Sequence, residues 1–530
     1  MLLVRNIRLP LSCGEAEAIR KAQKILHLPA DRAAGCGVAK LSVDARHGTP
    51  VLVYTIAVTL KDEGEESAYA GASPCVAVTR SPRFDFPVGA APLADRPVVC
   101  GLGPAGLFAA LLLARHGYRP IVLERGPALE QRVAAVERFE QTGLLDSSAN
   151  LQFGEGGAGT FSDGKLTTRV GDPLCAFVTR ALLDHGAPAD IAWRQKPHVG
   201  TDLLRGVITS IRREIERLGG TVHFNTPLTG LRVQNGRLAA AVTPAGEIPC
   251  SRLILAVGHS ARDTFAMLHR MELPMECKPF SVGVRAEHLQ ADIDQSLYHA
   301  AAHPALPKGE YQLSQHVGER CVYTFCMCPG GRVMAAASEA GGVVTNGMSY
   351  HARDGQNANA AVVVSVDGRD FGGDPEKAVA FQRRLEQAAY RAGSGLAPYA
   401  APAETVGSFL EGRGRLELDR VQPTYPRGVT PCDLGSLLPG DLADAMRAGL
   451  QAFGRKLAAY RAPDAVLTGL ETRTSSPVRL LRGQDLQCAA LPGLYPCGEG
   501  AGYAGGIMTA AVDGVRCAAA LMAQNAPPPG

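Results

Sequence analysis

One short turn constrains this chain more than any other feature. Val98-Val99-Cys100 is an apolar run, and Gly101-x-Gly103-x-x-Gly106 follows it without a gap. The apolar stretch LFAALLLARHG comes next, and then Tyr118 to Leu123, ending at Glu124. Strand, glycine turn, helix and strand in that order predict a dinucleotide-binding βαβ unit. Gly101 permits the tight turn, Gly103 lets the backbone approach a pyrophosphate, and Gly106 lets helix and strand pack closely. The helix N-terminus then turns its free N–H groups to the phosphates. Glu124 comes about 20 residues after the first glycine, where an acid takes the adenosine ribose hydroxyls. That acid disfavours a 2′-phosphate, so FAD or NAD fits better than NADP.

Three further stretches select FAD. A second glycine-dense loop, LQFGEGGAGTFSDGKLTTR (Leu151 to Arg169), suits a cofactor wrapped from two sides. SRLILAVGHSARDTF (Ser251 to Phe265) reads as a buried strand ending at Gly258, after the β-rich run TVHFNTPLTGLRVQNGRLAAAVT. That order is similar to glutathione-reductase-type FAD domains. LPGLYPCGEGAG resembles the last strand of such domains, whose terminal acid takes a ribityl hydroxyl; Glu499 fills that place. The helix predicted after AGYAGG presents its N–H groups near Gly506, Ile507 and Met508 to the flavin pyrimidine edge, where its dipole stabilises developing charge. The two glycine turns therefore hold opposite ends of one FAD. No second G-x-G-x-x-G follows a strand, so no separate nicotinamide domain is expected; NAD(P)H remains compatible as a transient donor.

Taken together, LQFGEGGAGTFSDGKLTTR, KPHVGTD, LAVGHSARDTF, KPFSVGVRAEH, FCMCPGGRVMAAASEAGGVVTNGMSYHARDGQNANAA, ETRTSSPVR and YPCGEGAGYAGGI span nearly the whole chain. In these motifs it resembles the bacterial family of FAD-dependent dehydrogenases of unassigned substrate. The resemblance implies an FAD-binding oxidoreductase fold with a small N-terminal domain, and no particular substrate.

The layout expected is α/β: a discontinuous Rossmann-like FAD-binding domain, an inserted β-rich α+β substrate domain and a small N-terminal ferredoxin-like α/β domain. Residues 1–85 form the N-terminal domain, with a hairpin turning at HGTP, and 86–97 the linker. Residues 98–276 and 471–524 form the two parts of the FAD domain, 277–470 the inserted domain, and 525–530 a disordered tail. In the insertion, Asp374 caps a helix with Pro375 at its first position. Leu442, Met446, Leu450, Phe453 and Leu457 mark the apolar face of another.

Composition excludes several classes. The net charge is +3, with no Lys/Arg run beyond Arg212-Arg213, which reads as a wet helix face. Nucleic acid is not an expected partner, although an RNA-modifying flavoprotein stands as an alternative reading. No apolar run reaches the ~18 residues of a membrane span. MLLVRNIRLPL is broken by Arg5 and Arg8 and is no signal peptide. Fourteen scattered cysteines read as reduced thiols in a cytoplasmic protein.

Noncovalent FAD is expected to contact Gly101, Gly103, Pro104, Ala105, Gly106, Glu124, Arg125, Gly156, Gly157, Gly159, Thr160, Lys165, Leu228, Gly258, Gly498, Glu499, Gly505, Gly506 and Ile507. Lys278, Arg285, Tyr350, Cys328 and Tyr503 are the candidates for chemistry, and no metal site is expected. Lys278 and Arg285 could neutralise an anionic substrate or reduced flavin, and Tyr503 could cover the ring. His259 suits a structural hydrogen bond, Asn346, Met348, Tyr350 and His351 form a polar loop, and Arg473 and Ser475 shape the pocket. Cys326 and Cys328 in FCMC could form a redox pair. On a plain strand, however, residues two apart lie ~6.6 Å apart at Cα, the upper edge of disulfide reach, which favours a buried structural role. The expected activity is hydride transfer to or from a small organic substrate. The alternative is a reductase driven by NAD(P)H or an electron-donor protein. The sequence does not set the oligomeric state.

Overall fold

The computed structural model describes residues 1–46, 48–71, 73–168, 170–300 and 302–529. His47 of the expected turn, Arg169 of the second glycine loop and Gly530 of the tail lie outside them.

At the N-terminus four antiparallel strands stand in the order Ala33–Asp44, Val51–Leu60, Leu2–Pro10, Val76–Val78. Strand Val51–Leu60 buries every second residue, Leu52, Tyr54, Ile56, Val58 and Leu60, so one face is core. Helix Glu15–Leu26 meets that face with Ala18, Ala22 and Leu26, spaced four apart.

The central sheet is parallel, ordered Leu494–Pro496, Leu253–Leu255, Val98–Cys100, Ile121–Leu123, Thr221–His223. Its three middle members are apolar nearly throughout because both faces are covered. Helices Pro104–Arg115 and Ile507–Gln524 pack on one face. The meander Gly230–Gln234, Arg237–Thr243, Gly246–Pro249 covers the other, through Leu231, Leu238 and Ala241. The strand that completes this sheet thus arrives from the far end of the chain.

Between Leu255 and Leu494 the chain builds a seven-stranded sheet. Its order is Ser314–Val317, Arg320–Cys328, Asn357–Val366, Phe280–Leu289, Val466–Glu471, Ala401–Thr405, Val429–Pro431. Helix Gly440–Lys456 lies against it, with Leu442, Met446, Leu450 and Phe453 buried. Asp374 accepts from the Glu376 and Lys377 amides and caps helix Pro375–Gly393. A two-stranded ladder, Met275–Cys277 with Val478–Leu480, ties the two sheets' segments together at the junction.

The tail departs from the expectation of disorder. Ala526 bridges to Pro92, Leu93 donates to the Ala526 carbonyl at 3.1 Å, and Tyr118 donates to the Asn525 carbonyl. Arg119 reaches the Pro528 carbonyl at 3.2 Å. Prolines have no N–H to offer, but their carbonyls still accept, and here the donors come from outside the segment. Among the described residues, no helix is long and apolar enough to cross a membrane.

Candidate active site

A cavity of about 730 Å³ runs from the Gly101–Gly106 turn to the start of helix Ile507–Gln524 and is walled on one side by the seven-stranded sheet. Its first end is made by close backbone approach. A Cβ on Gly106 would lie 1.8 Å from the Gly101 carbonyl oxygen, and one on Gly101, at φ 99°, would lie 2.3 Å from that of Ala256. Neither position accepts another residue without moving backbone. Gly103, Pro104 and Ala105 open the helix onto the cavity.

Glu124 ties this turn to the second loop. One of its oxygens accepts from Leu102 N at 2.9 Å; the other accepts from Gly126 N at 2.9 Å and Gly154 N at 3.0 Å. The carboxylate lines the cavity and keeps acceptor capacity for a hydroxyl. Arg125, beside it, pairs with Asp263 at 2.8 Å and lies over Phe153.

The second glycine loop has a purpose the sequence did not reveal: it wraps Arg132. That guanidinium is fully buried and donates to the carbonyls of Asn150, Leu151, Gly154, Glu155 and Gly157. A Cβ on Gly154 would sit 2.4 Å from Arg132 Cδ. Burial lowers the Arg132 pKa to about 9, offset in part by Glu124 and Glu155. Gly157 and Gly159 face the cavity, whereas Gly156 and Thr160 do not line it. A Cβ on Gly156 would meet Thr160 Oγ1 at 2.1 Å, and Thr160 donates to the Glu155 carbonyl at 3.0 Å. Those two shape the loop. Gly106 and Gly498 likewise serve packing: a Cβ on Gly498 would lie 2.7 Å from that of Ala105, and its amide donates to Asp513.

At the other end Glu499, Gly505, Gly506 and Ile507 line the cavity, with Leu228, Gly258 and Lys165 along its length. Burial pushes the Glu499 carboxyl up to about 7, against the pull of Lys278. His259 also faces in; burial, with Arg473 and Arg262 nearby, drives its pKa down to about 3, so it stands neutral.

The five residues expected to do chemistry fare differently. Lys278 does not line the cavity and acts on it only through its charge beside Glu499. Arg285 is wholly buried and donates to Glu471 through two nitrogens, Nε at 2.7 Å among them. It also donates to the Cys326 carbonyl at 2.9 Å and Asn359 at 3.1 Å. It holds Glu471 and Cys326, which do line the cavity. Burial raises the Glu471 carboxyl, and Arg285 pulls it back. Cys328 is buried behind the wall, and its neighbour Cys326 faces in. Tyr350 stands 47% exposed, outside the cavity, because its loop turns outward beyond strand Thr345–Met348; Asn346 from the same stretch does line it. Tyr503 is drawn away by Leu480, whose carbonyl accepts its hydroxyl at 2.9 Å, and by Arg482, 3.7 Å from its ring centre. Arg473 lines the cavity, where it pairs with Glu386 of helix Pro375–Gly393 at 2.9 Å and donates to Ser260 at 3.1 Å.

The comparisons bear on what fills such a cavity. A family model described as FAD-dependent protein, C-terminal domain-like, matches residues 279–474. An uncharacterised protein of Clostridium beijerinckii is 50% identical over 427 residues, covering 80% of each chain. The chain belongs to this family of FAD-dependent oxidoreductases. Solved structures similar to this family member include the L-amino acid deaminase of Proteus myxofaciens in complex with anthranilate, at 11% identity and TM-score 0.33, covering 84% of this chain and 94% of that one. The glycine oxidase of Bacillus cereus is similar at 10% identity and TM-score 0.33, covering 81% and 98%.

The cavity's residues fit the family's cofactor. FAD needs a glycine turn at a helix start, an acid for the ribose and a second helix start at the flavin. The Gly101–Gly106 turn, Glu124 and the Gly506–Ile507 helix start meet those needs on one continuous surface. Arg132 and Glu471 are the residues that reading for motifs missed. Nothing in their local spacing marks them, since each matters through a partner far along the chain.

Proposed function

We propose that this oxidoreductase exchanges a hydride with a small organic substrate seated between the helix start at Gly506 and the wall made by Phe325, Cys326 and Met327. The carrying observation is the single cavity that joins the phosphate turn, the helix start and that wall. Residues 98–276 and 471–524 are read as one interrupted FAD-binding domain, with 277–470 as the substrate domain and 1–85 as a ferredoxin-like module. Bound noncovalently, FAD supplies the two-electron chemistry. Glu124 would hold the ribose and Glu499 a ribityl hydroxyl, while the first amides of helix Ile507–Gln524 would face the flavin's pyrimidine edge. Lys165, with its nitrogen buried and Asp163 at 3.4 Å, offers a positive charge to an anionic substrate group. Fourteen unpaired cysteines support a reducing, cytoplasmic setting.

The test is anaerobic mixing of the FAD-loaded protein with NADH, then NADPH, while flavin absorbance is followed. Absorbance that holds with both, yet falls with dithionite, is the expected outcome for a substrate dehydrogenase. Rapid bleaching by either nucleotide would replace this reading with an NAD(P)H-driven reductase. A protein that takes up no FAD would overturn it altogether.

A further inference from the structure

The wall strand Arg320–Cys328 breaks register where it meets the cavity. Phe325 opposes Ala361 and Cys328 opposes Asn359, so three steps on one strand match two on its partner. The extra residue is taken up as a bulge, a device that re-aims side chains. Cys326 sits in it at φ 45°, a left-handed conformation that residues with a Cβ rarely adopt. The strain is held from outside: Arg285 donates to the Cys326 carbonyl at 2.9 Å, and the Cys328 thiol lies 3.4 Å from that same oxygen. The spacing argument for a plain strand therefore does not apply. Cys326 lines the cavity, and Cys328 sits behind it with its thiol on the Cys326 carbonyl.

We propose that Cys326 and Cys328 are a reactive dithiol that performs thiol–disulfide exchange with a small disulfide entering the cavity, Cys326 attacking and Cys328 resolving. In the first step Cys326 Sγ bonds to one sulfur of R–S–S–R, that S–S bond breaks, and a thiolate RS⁻ leaves and takes a proton. In the second step Cys328, giving up its proton, attacks Cys326 Sγ and expels the second RS⁻, which takes that proton. One disulfide is reduced to two thiols and two thiols are oxidised to one disulfide, so no other oxidant is needed. The exchange is independent of the hydride reading.

The surroundings suit an attacking thiolate. The nearby Cys328 thiol, with the positive charges of Lys165 and Arg285, lowers the Cys326 pKa against burial and Asp163. Glu471 and Glu499 also face this sulfur and work the other way. Lys165 keeps its charge despite burial, chiefly through Asp163. By contrast Cys100, Cys250 and Cys488 are buried thiols whose pKa values burial raises.

The experiment uses the full-length FAD-bound protein with Cys321→Ser, because Cys321 shares a tryptic peptide with the pair. Oxidised glutathione is added without oxygen, and peptides are mapped by mass spectrometry without reduction. The expected result is an internal Cys326–Cys328 disulfide with two glutathione molecules released. Cys328→Ser should instead trap glutathione on Cys326. Iodoacetamide alkylation of Cys326, followed against pH, should show a midpoint below the ordinary thiol value of about 8.5, and Lys165→Met should raise it by about one unit, a tenfold loss of rate at low pH. No reaction, a glutathione adduct that never closes in the presence of Cys328, or a Cys326 alkylation midpoint at or above the ordinary value would each overturn the proposal.

Discussion

The two ends of the cavity are built by opposite means. The phosphate end is backbone: glycines at 101, 103 and 106, a helix start, and Glu124 held by three amides. The wall is side chain: Arg285, Glu471, Lys165 and Cys326, brought together from four separate segments. A backbone site tolerates almost no added volume but asks little of distant residues. A side-chain site tolerates changes in volume, but each charge in it depends on a partner elsewhere.

The contrast predicts different failures. The largest expected effect on cofactor binding is at the backbone end. Gly106→Val would drive Cβ into the Gly101 carbonyl, 1.8 Å away, and FAD affinity should fall by more than about tenfold, over ~1.4 kcal/mol. Cofactor content by absorbance, beside circular dichroism, checks this; full FAD retention would break the comparison.

Next comes Arg285→Leu. It leaves Glu471 buried without its partner, and unfolding free energy should drop by about 3–5 kcal/mol. Denaturant unfolding measures it, and adding Glu471→Leu should restore much of the loss. A single variant as stable as wild type would mean that the wall does not depend on its buried pair.

Glu499→Gln sharpens the comparison through pH. Glu499 has a folded pKa of about 7 against an ordinary 4.5, so the folded state binds more protons between those values. Wild-type stability from this group is therefore intact below about 4.5 and lost as pH rises through 7. The cofactor-free variant should melt above wild type at pH 8, with the gap closing toward pH 4.5. A gap that widens on acidification would reverse the assigned cause.

The smallest effect belongs to Tyr350→Ala. An exposed side chain outside the cavity should change stability by less than about 0.5 kcal/mol and leave FAD content unaltered. Clear loss of cofactor would return this tyrosine to the site.

The phosphate end was legible from sequence because its physics is local. Gly106 must clear the Gly101 carbonyl and Gly101 must take a positive φ, both reasons within a few residues, and the acid after the next strand follows from strand length. Helix caps and faces were legible for the same reason, as Asp374 and the row Leu442, Met446, Leu450, Phe453 illustrate. The tail misled because composition says nothing about external donors such as Tyr118 and Arg119. Tyr503 misled because neighbours in sequence cannot show that Arg482 and Leu480 draw the ring aside.

By itself, then, the sequence determined the nucleotide turn, the two candidate carboxylates and the apolar strands around them, since periodicity and glycine sterics act over short stretches. Only tertiary structure decided which charges meet. Arg285 finds Glu471, Arg132 finds the carbonyls of the second glycine loop, and Cys326 is turned to the cavity by a bulge set against a strand more than thirty residues on. Burial strengthens each of those contacts and makes each costly to leave unmade, and burial is a property of the assembled chain rather than of any segment.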